Sequence, residues 1–484
     1  MHQEEVIQMD HVKTPYYDFF KLEKEMKLFS FQHKGVYYWQ LIRFGLLKKI
    51  TISDAQVSSR NADRSIVKEI LGAYRDSNRT RKAYKKAKKV DVIRIRPIVA
   101  LSKDGKLDDH QYDHMELDGS LRVMDLYALG DYTNVPDCAE YTLSQAESRL
   151  IIWKIKRKIL GEKKLDTKQK GSLERFLKKI DEIYGTRSEI DIIEDDIQYM
   201  VASHRFYKER YKKIFAEISP KVLMVYPHYD EHMFSAMAAA KEMGIKSVEI
   251  QHGRINAHEA YWYEDQREEG KILPDYFFAY GKWWIEQIKL PVFCKPVGVG
   301  NAYLESQMER YPGVDTDALM IAVFSNPQNG KELSEFIGQL DDLISKRGVQ
   351  ILYKLHPNER RSWREKYPRL VGLKNTRVID DGTSVYDILL RSRIVLGINS
   401  TTFFEATAYK KVRIVIYLKG DYRPMAPLLD GGLAVGVSSA EEFIEILDSL
   451  DEQPIKEDMD GFKLWEDNAK KNASDMVLEI LKSR

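Results

Sequence analysis

At 484 residues the chain exceeds what one hydrophobic core usually serves, so two domains are expected. A composition of 43% hydrophobic and 31% charged residues is that of an ordinary globular protein and excludes a low-complexity or disordered chain. A net charge of +2 excludes wholesale nucleic-acid binding, and two cysteines in no CxxC pattern, Cys138 and Cys294, exclude a structural zinc site and read as free thiols.

In chain order, residues 1–75 alternate charge with aromatics and read as a helical extension. No apolar signal-peptide core opens them, and no run approaches about eighteen apolar residues. A cytoplasmic protein is therefore expected, with the inner face of the membrane as its nearest approach to lipid. Val90–Ile98 reads as the first strand of a lobe. Lys221–Tyr226 is a second strand, Met233–Met243 an alanine-rich helix closed by Gly244, and Ser247–Ile250 a strand ending at Gln251. Asp275–Tyr280 is a further strand, and Val297–Asn301 reads as the exit into a linker running to about Asp317.

The second half is more regular. Strands at Ala318–Phe324, Val349–Leu355, Thr376–Ile379, Ile394–Ile398, Val412–Leu418 and Leu433–Val437 alternate with helices at Glu332–Arg347, Val385–Arg391, Thr401–Lys410 and Ala440–Leu447. That alternation implies βαβ units and a parallel sheet. The expected fold is α/β, with two Rossmann-like domains whose parallel sheets face each other across a cleft. Boundaries fall at 1–75 for the extension, 76–305 for the first lobe, 306–455 for the second and 456–484 for a C-terminal helix that could pack back across the other lobe.

Two strings stand where strands run out: Gln251-His252-Gly253 and Leu355-His356-Pro357-Asn358. Ligands of open α/β sheets bind at the carboxyl ends of strands, so one imidazole per half points to a shared cleft. Gly253 permits close approach of a ligand to His252, and Pro357 stiffens the turn after His356. Each histidine also has a plainer use, a buried hydrogen-bonded ring for His252 and a loop cap for His356. Ser400 stands at a helix start followed by Thr401 and Thr402, where hydroxyls and free N–H groups make an anion seat or a simple cap. Glu405 lies one turn further in, where an acid also suits the helix dipole. Asp230 is a strand-end carboxylate beside Glu231 and suits either a base or an N-cap. The one DxD triplet, Asp315-Thr316-Asp317, falls in the expected linker and is not expected to hold metal. Two basic stretches, Arg79–Lys89 and Trp153–Lys170, are either solvated faces or contacts for anionic lipid head groups. Tyr261-Trp262-Tyr263 could stack on sugars, whereas Trp283-Trp284 reads as core.

The runs VEIQHGRINAHEAYW, ILPDYFFAYGKWW and KPVGVGN resemble the core of bacterial GT-B-fold capsule and surface-polysaccharide glycosyltransferases. KLHPNE followed by GINSTTFFEA resembles motifs of GT-B sialyl and Kdo transferases, and of the CDP-glycerol phosphotransferases that build teichoic acids. The resemblance spans roughly residues 90–450. It implies a metal-independent transfer of sugar from a CMP-, CDP-, UDP- or GDP-linked donor to a growing surface or capsular glycan. The nucleotide sugar is then a substrate, and no cofactor is expected; the partners implied are that donor, a free or lipid-linked glycan acceptor and an anionic membrane surface, without nucleic acid. Carried onto this chain, it sets Lys354, Pro357, Asn358, Ser400, Thr401, Thr402 and Glu405 (toward a ribose) at the nucleotide donor, His356 at the departing phosphate, and His252 in the cleft at the donor phosphate or the acceptor. It also implies an acidic base in the first lobe, for which Asp230 leads over Asp113, Glu231 and Asp265 without a motif to fix the choice. A polyol-phosphate transfer of teichoic type fits the same resemblance, and isomerisation of the UDP-GlcNAc 2-epimerase kind fits the same fold.

Overall fold

The computed structural model describes residues 16–51, 89–96, 108–129, 142–144, 164–255, 259–311, 319–417, 425–450 and 463–483. A small hairpin, β1 (Gln32–His33) and β2 (Val36–Tyr37), turns through Lys34 and Gly35, both at positive φ. The first large sheet contains β3 (Val92–Arg96), β4 (Val123–Leu129), β5 (Thr142–Ser144), β6 (Val222–Val225), β7 (Lys246–Ile250), β8 (Tyr276–Ala279) and β9 (Lys295–Gly298). Every pairing in it is parallel, in the order β5-β4-β3-β6-β7-β8-β9. The second sheet contains β10 (Met320–Phe324), β11 (Gln350–Lys354), β12 (Thr376–Ile379), β13 (Ile394–Gly397), β14 (Val412–Ile416) and β15 (Val435–Val437). It is also wholly parallel, in the order β12-β11-β10-β13-β14-β15.

In both sheets the first strand sits inside and the order reverses around it, which is the doubly wound Rossmann arrangement. The strands read as near-continuous apolar runs because helices cover both faces. Each sheet has its reversal point where a crevice opens at the carboxyl ends, between β3 and β6 in one lobe and between β10 and β13 in the other. The protein is thus a GT-B-like pair of α/β domains.

Three features differ from the expectation. β4, Val-Met-Asp-Leu-Tyr-Ala-Leu, is broken as an apolar run by Asp125, yet Asp125 stands directly opposite Arg94 of β3 and takes a bidentate bond from it at 2.6 and 2.8 Å. The stretch read as a linker exit is instead the edge strand β9 followed by a helix, Ala302–Arg310, whose N-cap Asn301 accepts from the Leu304 N–H at 3.1 Å. Two long helices, Thr167–Tyr184 and Ile190–Ile218, add to the elements expected of the first lobe, the first of them taking in the end of the basic stretch Trp153–Lys170. The first starts at an Asp166 cap and ends at Gly185 in the left-handed region, and it buries Leu173, Phe176, Leu177 and Ile180 on one stripe.

Residues 16–51 pack on that stripe and share one apolar core with the first lobe; Phe19 and Trp39 both meet the Phe176 ring edge-on at 5.1 Å. The last described segment leaves the second lobe and lies against the first. The Trp283 N–H donates to the Lys463 carbonyl, the Trp284 indole to that of Leu464, and the Glu466 N–H to that of Tyr280, at 3.1, 2.8 and 2.9 Å. The helix Ala469–Lys482 then buries Ala473, Val477 and Ile480 against Val92, Val222, Met224, Val248 and Phe278. Glycine is needed where this strap passes. A Cβ on Gly281 would stand 2.3 Å from the Lys463 carbonyl oxygen, and one on Gly300 would stand 2.4 Å from the Ala469 Cβ. The triplet Asp315–Asp317, the stretch Arg79–Lys88 and residues 153–163 lie outside the described residues. Among the described residues no helix is long and apolar enough to cross a membrane.

Candidate functional site

A cleft of about 460 Å³ opens at the carboxyl ends of both sheets. The first lobe lines it with His110 and Gln111 from the loop after β3, His252, Gly253 and Arg254 after β7, Tyr280 after β8, and Asn301 and Tyr303 after β9. From the second lobe come Ser384, Val385 and Tyr386 of the helix start after β12, and Thr401, Thr402, Phe404 and Glu405 after β13. Trp465 of the strap closes one side, its indole donating to the Thr407 hydroxyl at 3.0 Å.

The loop carrying His110 is held by charge. Arg96, at the end of β3, is almost wholly buried and reaches Asp109 at 3.2 Å, Asp113 at 2.6 Å and Asp125 at 2.8 Å. Tyr226 adds a hydrogen bond to Asp109 at 2.8 Å. Burial pushes the Asp109 carboxyl up against the pull of Arg96. Asp125 is also penalised by burial, but Arg94 and Arg96 outweigh that and hold it low. His110 lies flat on Tyr303, with ring centroids 3.7 Å apart and planes 10° from parallel. Burial lowers its pKa, which favours the neutral imidazole.

The loop after β7 is fixed by its own glutamine. Gln251 is fully buried; its amide nitrogen donates to the Gly253 carbonyl at 2.7 Å, and its oxygen accepts from the Tyr280 N–H at 2.8 Å. His252 Nε2 meets the Tyr229 hydroxyl at 2.9 Å, which sets the ring's orientation. Arg254 then crosses between the lobes, its Nη1 donating to Asn399 Oδ1 at 3.1 Å. Asn399 is itself anchored, because its carbonyl accepts from Asn326 Nδ2 at 2.7 Å.

Opposite, Ser400 ties down the helix Thr402–Ala408: its hydroxyl accepts from the Thr402 N–H at 3.2 Å and donates to Thr402 Oγ1 at 3.0 Å. Glu405 projects among phenols. Tyr386 hydrogen-bonds its carboxyl, and burial first, with the negative charge of Glu405 as a lesser cause, holds the hydroxyls of Tyr280, Tyr303, Tyr386 and Tyr409 un-ionised. Burial raises the Glu405 carboxyl, and the Tyr386 bond only partly offsets it.

Of the residues singled out from sequence, His252, Thr401, Thr402 and Glu405 line this cleft together. His356 does not. Its Nδ1 accepts from the Asn358 N–H at 3.2 Å, while Glu359 reaches back to the His356 N–H at 3.1 Å, so the pair forms a capping box on the short turn Pro357–Glu359. Pro357 and Asn358 are exposed on that turn. Lys354 is buried and donates to the Asp381 carbonyl at 2.8 Å. Asp230 caps the helix Glu231–Glu242, accepting from the His232 N–H at 2.8 Å, and is outside the lining. His110, Arg254, Tyr280, Tyr303 and Tyr386 line the cleft and were not singled out. Arg254 follows Gln251-His252-Gly253 by one residue and was within reach of the motif. His110 sits in a polar run with no strand pattern to place it.

Neither protein-family models nor curated proteins give a match to this chain. Among solved structures it is similar to Staphylococcus aureus MnaA bound to UDP, with TM-score 0.47 and 13% identity, covering 82% of this chain and 97% of that one. It is similar to the UDP-GlcNAc 2-epimerase of Neisseria meningitidis bound to UDP-GlcNAc, with TM-score 0.43 and 15% identity, covering 81% and 100%. A variant of the wall teichoic acid polymerase TagF soaked with CDPG gives TM-score 0.41 and 10% identity over 87% and 99%.

Proposed function

We propose that this chain is a transferase that moves a sugar from a nucleotide-activated donor to a glycan acceptor, in a cleft shared by its two lobes. The observation that carries the reading is that cleft. One wall brings imidazoles from the first lobe and the other brings hydroxyls from the second, both at the carboxyl ends of doubly wound sheets. Transfer requires that negative charge on the departing phosphate be stabilised and that the acceptor hydroxyl lose a proton. His252, oriented by Tyr229, and the hydroxyls of Thr401 and Thr402 supply donors for the first task. For the second, the neutral His110 of the first lobe is the favoured base, since Asp230 is engaged as a helix cap.

Glu405 is the one carboxylate among the described cleft-lining residues.

The test is a thermal-shift screen with CMP, CDP, UDP and GDP, followed by turnover of the matching nucleotide sugar with and without glycan acceptors. One nucleotide should stabilise the fold by about 2.7 kcal/mol at a hundred times its Kd, and EDTA should leave both stabilisation and turnover intact. Absence of stabilisation by every nucleotide would refute the reading. Acceptor-independent change of the sugar would replace it with isomerisation, and a phosphodiester product would replace it with polyol-phosphate transfer.

A further inference from the structure

We infer that Arg254 is the cationic ligand of the donor's phosphate, held ready by a bond that spans the two lobes. The inference rests on the transferase reading above and names the residue that recognises the anionic part of its substrate.

Four observations meet at this side chain. Among the described residues lining the cleft, Arg254 is the one lysine or arginine. It stands two positions after His252 on a loop that Gln251 clamps through Gly253 and Tyr280, so guanidinium and imidazole are presented from one rigid turn. Its Nη1 donates to Asn399 Oδ1 at 3.1 Å, and Asn399 immediately precedes Ser400, Thr401 and Thr402. Asn399 is held in turn through its backbone carbonyl by Asn326, so the guanidinium is tied to a braced loop of the second lobe.

The chemistry suits that placement. A guanidinium carries its charge at every working pH and offers several N–H groups in one plane, which match two oxygens of a phosphate at once. The bond to Asn399 holds one arm of that fork at the boundary between the lobes. Because the Asn399 partner belongs to the opposite lobe, a phosphate bound here touches both halves of the molecule.

The experiment is calorimetric titration of the full chain with the nucleotide that stabilises it most, and with the corresponding nucleoside, for wild type and three variants. Arg254→Ala should weaken nucleotide binding about 10- to 100-fold, the scale of a charge-assisted hydrogen bond, while leaving the nucleoside unchanged. Arg254→Lys should recover part of the loss, since charge survives but the planar fork does not. Asn399→Ala, which removes the interlobe bond and keeps the guanidinium, should lose less than Arg254→Ala. Melting curves show that each variant is folded.

Equal nucleotide affinity in wild type and Arg254→Ala would overturn the inference and leave the transferase reading standing. An equal loss for nucleotide and nucleoside, or a loss in Asn399→Ala as large as in Arg254→Ala, would also overturn it, by assigning Arg254 to lobe packing. If wild type binds no nucleotide, the transferase reading falls and takes the inference with it.

Discussion

Replacing Arg96 by methionine tests whether a buried cation organises the end of β3 on which the His110 loop depends. Arg96 is 3% exposed and serves three carboxylates, of which Asp109 is 4% exposed at its side chain. Methionine fills much of the same volume without charge. Asp125 keeps Arg94, and Asp113 is partly open to water, but Asp109 is left with only the Tyr226 hydroxyl and backbone donors. Removing one partner of a buried pair costs about 3–5 kcal/mol, mostly the penalty of stranding the other charge. For a lobe of about 150–250 residues that is a fall in Tm of about 6–20 °C.

The loss should depend on pH in a defined direction. Burial already raises the Asp109 carboxyl above its ordinary value, and removing Arg96 raises it further. A raised carboxyl binds a proton in the folded state that the unfolded chain has released, so its contribution is most favourable at low pH and declines as pH rises through the raised value. The gap between variant and wild type should therefore narrow between about pH 7.5 and about pH 5. The double variant Arg96→Met/Asp109→Asn should recover much of the loss, because no buried charge is left. Chemical denaturation at the two pH values measures all three proteins. A single-variant loss under about 1 kcal/mol, or a gap that widens on acidification, would refute the reasoning.

Two further predictions follow from local geometry. Gly300→Ala places a Cβ at positive φ against Ala469 and the Glu466 carbonyl, so it should cost about 2–5 kcal/mol and expose the C-terminal helix to hydrogen exchange; unchanged exchange there would show that the strap yields freely. Glu405→Gln keeps an acceptor for Tyr386 and removes a carboxyl that burial raises. Wild-type stability should fall as pH rises through that raised value and the variant's should not, so the variant's Tm should match or exceed wild type above neutrality; a lower Tm there would argue that the ionised form is the one the fold prefers.

The second lobe was legible nearly residue for residue. Thr376–Ile379 and Val385–Arg391 have the expected bounds, and the other strands there differ by one or two residues at their ends. The strands there are mostly apolar runs between turn residues, with polar residues such as Lys354, Arg377 and Arg413 entering singly, and a strand covered on both faces needs little more. In the first lobe the same rule overlooked β4, because Asp125 breaks the run and its partner Arg94 lies 31 residues earlier. The helix Thr167–Tyr184 carried a clear 3.6-residue stripe and an Asp cap, a signal present but passed over beside the basic residues that precede it. In the site, the motif at His252 led to the cleft, whereas the equally regular one at His356 formed a capping box whose hydrogen bonds stay within four residues.

Taken alone, the order of amino acids determined the alternation of strand and helix, the two parallel sheets and the loops at their carboxyl ends, because each depends on apolar period and turn chemistry within a few residues. Only the tertiary structure decided which of those loops meet. Arg96 reaching Asp109 and Asp125, Arg254 reaching Asn399 across the lobes, and the strap passing over Gly281 and Gly300 join residues 13 to 182 positions apart. Such contacts follow from how two folded lobes close on each other, and no local pattern in the chain encodes that closure.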